Sequence, residues 1–382
     1  MQPNSISRKG LAVGIIFLLV GLAFIPSITS KQTLGEHIIT VDDEPGDANY
    51  TSIKEAVKHA QPGDTIEVYS GTYYEHDIII GKQGITLQGV PNELGSGNDT
   101  GKPMITSTAN LTILYARGDD ITITGFIIID GSAPNQATFP IHIWGDNCTF
   151  SYNNVTGGWE TLWVGGDGYN PDHYPIGTRI IGNTIEHTTV GIDYSCKYGN
   201  ISYNRFRWCT YRAIGVYDQA TSTIISYNSI SNCSTGILYN NGSDSTISHN
   251  IISASTGIDL GVSDANNINI LRNGFQRCGT GITLEIKKSW VQVQQNNFIN
   301  NSRDVRFVQY LPLKYNLFAH RIFDGNYYDT WRGSGPKRIR GIAIIFDIPI
   351  WFFPEIFFDI PIWIPWVYRD LNPTHEPYDT GE

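Results

Sequence analysis

The sequence is poor in charge, and especially in basic charge. Only 16% of its 382 residues are Asp, Glu, Lys or Arg, and 26 basic residues face 36 acidic ones, for a formal net charge of −10 at pH 7. A protein that binds nucleic acid needs an excess of positive charge to neutralise phosphates. We therefore expect no nucleic-acid partner, while the 41% of hydrophobic residues predicts an ordered chain with a sizeable core.

Soft metal ligands are also scarce. The chain has two methionines, five cysteines without a C-x-x-C pair, and nine histidines without an H-x-H or H-x-x-x-H pair. Copper and zinc prefer thiolate, thioether and imidazole ligands, usually at short fixed spacings. We therefore predict no metal site and no cofactor, and the odd number of cysteines does not favour a disulfide framework.

An apolar run near the N-terminus, Leu11–Ile25, follows Arg8 and Lys9 and precedes the small and polar residues of Ser27–Ser30. It is shorter than the ~20 residues of a membrane span, and its layout is typical of a secretory signal. We expect residues 1–30 to be a signal peptide cleaved near Ser30, or an uncleaved anchor inserted through residues 10–26. Either would place the chain outside the cell, secreted or on the cell surface, where its nine N-x-[ST] sequons could be glycosylated.

A frame of the form N-x-[I/F]-x-x-[C/S/T]-x-x-G-[I/V] recurs along the chain. Its asparagines are Asn153, Asn183, Asn204, Asn228, Asn250, Asn273 and Asn296, and from Asn183 onward they are 21 to 24 residues apart. A repeat of this length, with short β-branched segments between Gly, Asn and Ser clusters, predicts one coil of a parallel β-solenoid. The fold class is therefore all-β, with about ten coils over residues 37–330.

Stacked coils place equivalent residues on top of one another at the strand spacing of ~4.8 Å. Cys209, Cys233 and Cys278 occupy the same offset, five residues after the repeat asparagine, where Thr188 and Ser255 stand in other coils. This predicts a buried ladder of small side chains rather than redox or metal chemistry.

The region before the repeats predicts an N-terminal cap. Ser52 and Glu55 have capping-box spacing, and an apolar stripe follows at Ile53, Ala56, Val57 and Ala60, so a short helix should cover the first coil. The opening I-T-V-D-D…Y-T-S-I-K-E-A-V-K-H-A-Q-P-G-D-T-I-E-V-Y-S-G-T-Y-Y-E resembles the pectin-lyase-like right-handed parallel β-helix superfamily. With the asparagine frame, it is similar to the carbohydrate-binding and sugar-hydrolase branch that includes NosD-like proteins. The resemblance implies right-handed coils and a polysaccharide partner, and it does not specify an activity.

The C-terminal residues, 331–382, depart from the repeat. Gly325–Trp331 (G-N-Y-Y-D-T-W) and the later Pro377–Asp379 are similar to the terminal motif of NosD-like archaeal surface proteins, but the Asp/Gly-rich stretch that often separates its two parts is absent, so calcium has no motif here. Residues 341–368 carry two near copies of F-D-I-P-I-W, whose prolines and acids disfavour a transmembrane helix. We predict an aromatic, proline-rich strap that seals the last coil; the alternative is an exposed aromatic surface that contacts a membrane or partner.

Alternation along one strand of each coil turns Asp193 outward, and the same reasoning predicts an outer row of Trp163, Asp193, Tyr217, Leu238, Asp259 and Thr283. An insertion between Asn153 and Asn183 should build a groove beside it. Carboxylates and aromatic faces suit sugar hydroxyls and pyranose rings. The predicted ligand-binding residues are Trp159, Trp163, Asp167, His173, Tyr194, Lys197, Arg212, Tyr217, Tyr239 and Asn240.

Carboxylates on adjacent coils could also catalyse glycan cleavage as acid and base or nucleophile. The candidate pairs are Glu160 with Asp193, and Asp193 with Asp218. However, the complete motifs of polygalacturonases, pectate lyases and pectin methylesterases are absent. Three functions therefore remain open: polysaccharide binding, a glycan-active hydrolase, lyase or esterase, and a structural role in the cell envelope.

Overall fold

A computed structural model of the chain describes residues 37–132, 139–166, 173–217, 220–263, 267–286, 291–312, 322–346, 349–351, 357–359 and 362–380. The secondary structure of the described residues falls in one compact unit, Ile38–Glu382. Among the described residues, no helix has the length and apolarity needed to cross a membrane.

The described residues of this unit form one short helix and many short strands. In chain order they are β1 (Ile38–Val41), α1 (Ile53–His59), β2 (Thr65–Val68), β3 (Thr72–Tyr74), β4 (Ile78–Ile80), β5 (Thr86–Gly89), β6 (Met104–Ser107), β7 (Leu114–Ala116), β8 (Thr122–Thr124), β9 (Ile127–Asp130), β10 (Ile141–Ile143), β11 (Thr149–Ser151), β12 (Asn154–Gly157), β13 (Glu160–Val164), β14 (Arg179–Ile181), β15 (Thr184–Tyr194) and β16 (Asn200–Ser202). They continue as β17 (Arg205–Val216), β18 (Ile224–Ser226), β19 (Ser229–Tyr239), β20 (Thr246–Ser248), β21 (Ile251–Ser263), β22 (Ile268–Leu271), β23 (Gly274–Gln276), β24 (Thr280–Ile286), β25 (Val291–Gln294), β26 (Asn297–Ile299), β27 (Arg303–Pro312), β28 (Phe323–Asp324), β29 (Tyr327–Tyr328), β30 (Lys337–Phe346), β31 (Pro349–Trp351), β32 (Phe357–Asp359) and β33 (Ile362–Asp370).

One wall of the solenoid is a 12-stranded parallel sheet in the order β1, β2, β5, β8, β11, β14, β16, β18, β20, β22, β25, β28. One residue of each strand points inward and stacks on its equivalent in the next coil. From β2 onward this buried row is Ile66, Leu87, Ile123, Phe150, Ile180, Ile201, Ile225, Ile247, Ile270, Val293 and Phe323. Burying one apolar side chain per coil at this position gives a continuous core.

The rest of each coil pairs in parallel as well, most extensively along β13, β15, β17, β19, β21, β24 and β27. Together the sheets form about 11 turns. The predicted all-β parallel β-helix is confirmed.

The repeat asparagines form a buried ladder inside one turn of each coil from Asn153 onward. Each donates its backbone N–H and, from Asn183 onward, its side-chain Nδ2 to the Oδ1 of the next, at 2.9–3.1 Å. Asn326 is the last member, which the repeat spacing did not predict because 30 residues separate it from Asn296. Asparagine recurs here because a buried turn needs a side chain that both donates and accepts.

Cys209, Cys233 and Cys278 are buried and free, as the ladder hypothesis predicts. Thr188 pairs with Cys209, so it belongs to the ladder too. Ser255 does not: Ala254 pairs with Cys233, and Ser255 is exposed, because β21 has one residue fewer than β19 at this point.

The N-terminal cap is also as predicted. Helix α1 begins after Ser52, whose hydroxyl accepts the N–H of Glu55 at 3.3 Å, and it buries Ile53, Ala56 and Val57. The Glu75 carboxylate accepts two further N–H groups of the first turn, at 2.8 and 2.9 Å. This satisfies donors that a helix leaves unpaired at its start.

The described part of the C-terminal segment adds to the last coil. Strand β30 pairs in parallel with β27, and β33 pairs antiparallel with β30. Asp370, fully buried at the end of β33, accepts hydrogen bonds from the N–H and Nδ2 of Asn326, the N–H of Gly325 and the hydroxyl of Tyr328. The Asp370 side chain thus ends the asparagine ladder, because a carboxylate accepts hydrogen bonds and has no side-chain N–H that would need another acceptor.

Candidate functional site

Two outward rows of side chains, which we call the outer wall, lie on strands β13, β15, β17, β19, β21, β24 and β27. The first row is Trp163, Asp193, Gly215, Leu238, Asp259, Thr283 and Arg306, and the second is Glu160, Val190, Arg212, Thr235, Thr256, Thr280 and Arg303. The predicted first row is correct except at Tyr217, whose place belongs to Gly215. A bulge gives β17 one more residue than β15 before Arg212, so the partner of Asp193 is Gly215 rather than Ile214. Tyr217 lies two residues further on, beyond the end of the strand.

Three ionisable side chains meet on this wall, and we call them the arginine cluster: Glu160, Asp193 and Arg212. Arg212 donates from Nε to Oδ1 of Asp193 at 2.9 Å and from Nη2 to Oδ2 at 2.5 Å. Its Nη2 also lies 3.6 Å from Oε1 of Glu160. The three side chains are only 10 to 16% exposed, so these charge-assisted bonds are largely shielded from water.

Register explains why these residues meet although 52 positions separate the first from the last. Glu160 and Arg212 both pair with Val190, from opposite sides, so they flank one strand. Asp193 pairs with Gly215, where a Cβ would collide with Asp193 and come within 2.7 Å of Arg212 Nε. A side chain at position 215 would therefore occupy the space in which the bidentate pair forms.

The cluster keeps one carboxyl group protonated at neutral pH. Burial, a hydrogen bond with Asp193 and the charge of Asp193 raise the pKa of Glu160 from 4.5 to about 8, against the opposing effect of Arg212. Burial lowers the pKa of Arg212, but the hydrogen bond and charge of Asp193 outweigh it and raise that pKa above its ordinary value. The site thus offers a neutral acid and a guanidinium-bound carboxylate side by side.

Aromatic rings surround the cluster. The Arg212 guanidinium lies 4.6 Å from the ring centre of Tyr211, which is 51% exposed, and 5.4 Å from that of Tyr217. On the other side of Asp193, Trp163 stacks on His142 at 5.5 Å, and the next ring, Tyr115, is 4.5 Å from His142. Rings on β7, β10 and β13 therefore form a run that ends at the arginine cluster.

Two predicted ligand-binding residues are wrongly assigned. Tyr194 and Tyr239 are fully buried inside the solenoid, where their hydroxyls donate to Thr178 O at 2.9 Å and to Ser245 Oγ at 2.8 Å. Each follows an outward residue directly, so alternation turns it inward, and neither can contact a ligand on the outer wall.

The other predicted residues divide into three groups. Trp163, Arg212 and Tyr217 join Glu160 and Asp193, and Trp159, 42% exposed, directly precedes Glu160. His173 lies elsewhere, packed on Trp144 at 4.3 Å, and no described contact links Lys197 or Asn240 to the cluster. Asp167 and Asp218 lie outside the described residues, so the Asp193 and Asp218 pair stays a prediction.

Tyr211, His142, Tyr115 and Gly215 were missed. Tyr115 and His142 precede the asparagine frame, so no repeat aligned them with Trp163. The identity of Gly215 depended on the bulge in β17, which side-chain alternation does not reveal.

As a metal centre the arginine cluster is unsuitable, because Arg212 already neutralises the Asp193 carboxylate and Glu160 holds a proton. Its chemistry instead fits neutral or acidic groups that accept hydrogen bonds from a guanidinium and donate them to a carboxylate.

Residues 174–333, less than half of the chain, match the protein family described as periplasmic copper-binding protein (NosD). By sequence, none of the curated proteins matches the chain. Structurally it is similar to the catalytic domain of a GH87 alpha-1,3-glucanase in complex with tetrasaccharides, with a TM-score of 0.51 and 13% identity over 75% of this chain and 63% of that one.

Two other solved structures resemble the chain with lower scores. The PL6 family alginate lyase AlyGC has a TM-score of 0.47 and 14% identity over 76% of this chain and 51% of that one. The A-module of the Azotobacter vinelandii mannuronan C-5 epimerase AlgE6 has a TM-score of 0.45 and 12% identity over 72% and 88%.

The chain spans less than two thirds of the glucanase domain, and at such identities the likeness concerns the fold alone. Parallel coils, an N-terminal capping helix and this likeness agree. The chain therefore has a parallel β-helix fold.

Proposed function

We propose that the protein is exported and binds polysaccharide on its outer wall, at the arginine cluster and the rings beside it. The observation that carries the proposal is the convergence of Glu160, Asp193 and Arg212 between Trp163 and Tyr211. A glycan offers hydroxyls or carboxylates to the charged groups and pyranose C–H faces to the rings. A wall that repeats at the strand spacing also suits a polymer that extends over several coils.

Export is supported by two observations. Residues 8–30 have the layout of a secretory signal, and the family matched by residues 174–333 is described as periplasmic. Mass spectrometry of the mature N-terminus tests this: cleavage near Ser30 or retention of residues 10–26 in a membrane fraction supports export, and an intact chain in the cytoplasm contradicts it.

A glycan array with the purified protein tests binding. We expect signals for a limited class of acidic or neutral polymers, and a flat array would contradict the proposal and favour a structural envelope role. On a responding polymer, Arg212→Gln should weaken binding about tenfold or more, because hydrogen bonds from a charged group contribute about 1.5–3 kcal/mol. Tyr211→Ala should weaken it severalfold through lost ring contact.

Matched controls lie outside the outer wall. Arg205 stands exposed at the start of the same strand, β17, and Tyr74 is 83% exposed on β3. Arg205→Gln and Tyr74→Ala should bind as the wild type does. If Arg212→Gln and Tyr211→Ala also bind as the wild type does, the ligand does not use the arginine cluster.

Acid catalysis on glycans is the second candidate, and one observation favours it. Glu160 has a pKa of about 8 beside Asp193, and a protonated carboxyl and a carboxylate are the two groups that glycoside hydrolysis uses. Assays for reducing ends, unsaturated uronides and released methanol test the reaction classes. Loss of product with Glu160→Gln and Asp193→Asn would support catalysis there, and full activity in both variants would refute it.

A further inference from the structure

A second group of carboxylates lies at the N-terminal end of the solenoid, on strands that do not contribute to the outer wall. Strands β1, β2 and β5 are consecutive neighbours whose ends, Val41, Val68 and Gly89, are in register. The residues that follow them therefore meet at one edge, which we call the acidic corner: Asp42, Asp43, Glu44, Glu93 and Asp99.

The oxygens of the acidic corner are close enough to share a cation. Asp42, Asp43 and Glu44 each offer a carboxylate oxygen within 4.8 Å of the others, and so do Glu44, Glu93 and Asp99. Oxygens that bind one Ca²⁺ lie about 2.3–2.6 Å from the ion, so opposite ligands are up to about 5 Å apart. Glu44 belongs to both groups and joins them.

Asp42 provides the observation that a cluster of acids alone would not. Its side chain is fully buried, and neither carboxylate oxygen has a hydrogen-bond partner. Oδ1 of Asp43 and Oε2 of Glu44 are buried without a partner as well. A buried carboxylate that lacks both a hydrogen bond and a counter-ion costs several kcal/mol, so a folded chain that retains it needs a bound cation or a proton there.

No cationic side chain fills that need within the described residues: none of the five acids forms an ion pair with Lys, Arg or His there. The charged neighbours that raise the pKa of Asp42 to about 6, after burial itself, are all acids, namely Glu93, Asp43, Asp47 and Asp99. The corner is thus a concentration of negative charge without compensation.

The surrounding backbone holds these acids in place. The N–H of Thr72 donates to Oδ2 of Asp43 at 3.0 Å, which leaves Oδ1 directed elsewhere. Glu93 accepts the N–H of Asp99 at 2.7 Å, which folds the loop that carries both. Ser96 of that loop donates its N–H and hydroxyl to Asp47 at 3.1 and 2.9 Å. These hydrogen bonds fix the loop that carries Glu93 and Asp99 to the segment that follows β1.

We propose that the acidic corner is a calcium site in which Asp42, Asp43 and Glu44 bind the ion directly. Glu93 and Asp99, whose oxygens lie near Glu44, supply the remaining carboxylate oxygens of the site. Oxygen-only ligands disfavour copper and zinc, which prefer nitrogen and sulfur. Several carboxylates from separate loops suit the large, flexible coordination shell of Ca²⁺ better than the strict octahedron of Mg²⁺. The bound ion would tie residues 91–101 to the first coils, independently of any glycan.

The test uses the full chain, stripped with EDTA and titrated with Ca²⁺, Mg²⁺ or Tb³⁺. We expect Ca²⁺ to raise the wild-type melting temperature by about 3 °C or more, Mg²⁺ to raise it less, and Tb³⁺ to luminesce through the nearby Tyr69 and Tyr73. No shift with Ca²⁺ at millimolar concentration together with no Tb³⁺ emission would overturn the proposal.

Variants distinguish the site from unspecific binding. Asp42→Asn should melt at or above the wild-type temperature in EDTA, because it removes a buried charge, and should weaken Ca²⁺ binding at least about tenfold. The exposed, distant Glu376→Gln loses the same charge and should keep wild-type affinity. Wild-type affinity in Asp42→Asn, or equal losses in Asp42→Asn and Glu376→Gln, would refute the proposal. If Asp42→Asn does not fold, Glu93→Gln provides the same comparison, with the same two outcomes.

Discussion

The protonated Glu160 makes stability depend on pH in a direction opposite to that of an ordinary salt-bridged carboxylate. In the folded state its pKa is about 8, against 4.5 as the reference value. Between these values the folded chain holds a proton that the unfolded chain has released, so stability falls as the pH rises through this window. At about 1.4 kcal/mol per pH unit, the interval limits the effect to about 5 kcal/mol.

Denaturant unfolding at pH 5, 6.5 and 8 measures this dependence. Glu160→Gln keeps the shape of the side chain and removes the titration, so its stability relative to wild type should increase steadily from pH 5 to pH 8. Glu186→Gln, on the neighbouring strand β15 and outside the arginine cluster, should follow the wild-type pH dependence. If the difference between Glu160→Gln and wild type is constant over this range, Glu160 is not held as a neutral acid and the argument for acid catalysis fails.

Two further substitutions test the packing that builds the site and the ladder. Gly215→Ala should displace the pair between Asp193 and Arg212 and destabilise the fold by about 1–3 kcal/mol. Gly261→Ala, where nothing lies within 4 Å of an added Cβ, should unfold like the wild type. Equal stabilities of the two variants would contradict the described register. Asp370→Ala removes the acceptor at the end of the asparagine ladder, so it should lower the free energy of unfolding by about 3 kcal/mol or more and speed hydrogen exchange at the Asn326 amide. Unchanged exchange would show that the ladder does not need this cap.

The fold was predictable because its causes are local and repeated. The asparagine frame, the glycine that follows it and the small residues at the cysteine offset each recur every 21 to 24 residues. The structure explains the glycine: at Gly236, Gly257 and Gly281 a Cβ would come within 2.4–2.6 Å of a carbonyl oxygen in the next coil. A steric need repeated in every coil leaves a visible pattern in the sequence.

The site was only partly predictable because it depends on register between coils. Alternation found Glu160, Asp193 and Trp163, but the row continues at Gly215, two residues before the predicted Tyr217, because pairing with β15 sets the register of the bulged strand β17. Tyr194 and Tyr239 were selected by residue type, although alternation places them in the core. The acidic corner was not recognised, since its ligands come from the ends of β1 and β5, about 50 residues apart, and match no contiguous calcium loop.

A double-mutant cycle between Asp193 and Arg212 tests most directly whether successive coils assemble the site. These residues meet only if β15 and β17 stack in the described register. Unfolding free energies of Asp193→Asn, Arg212→Gln and the double variant should show a coupling of about 1.5–3 kcal/mol. Additive effects within about 0.5 kcal/mol would contradict the account, because the two side chains would then not interact.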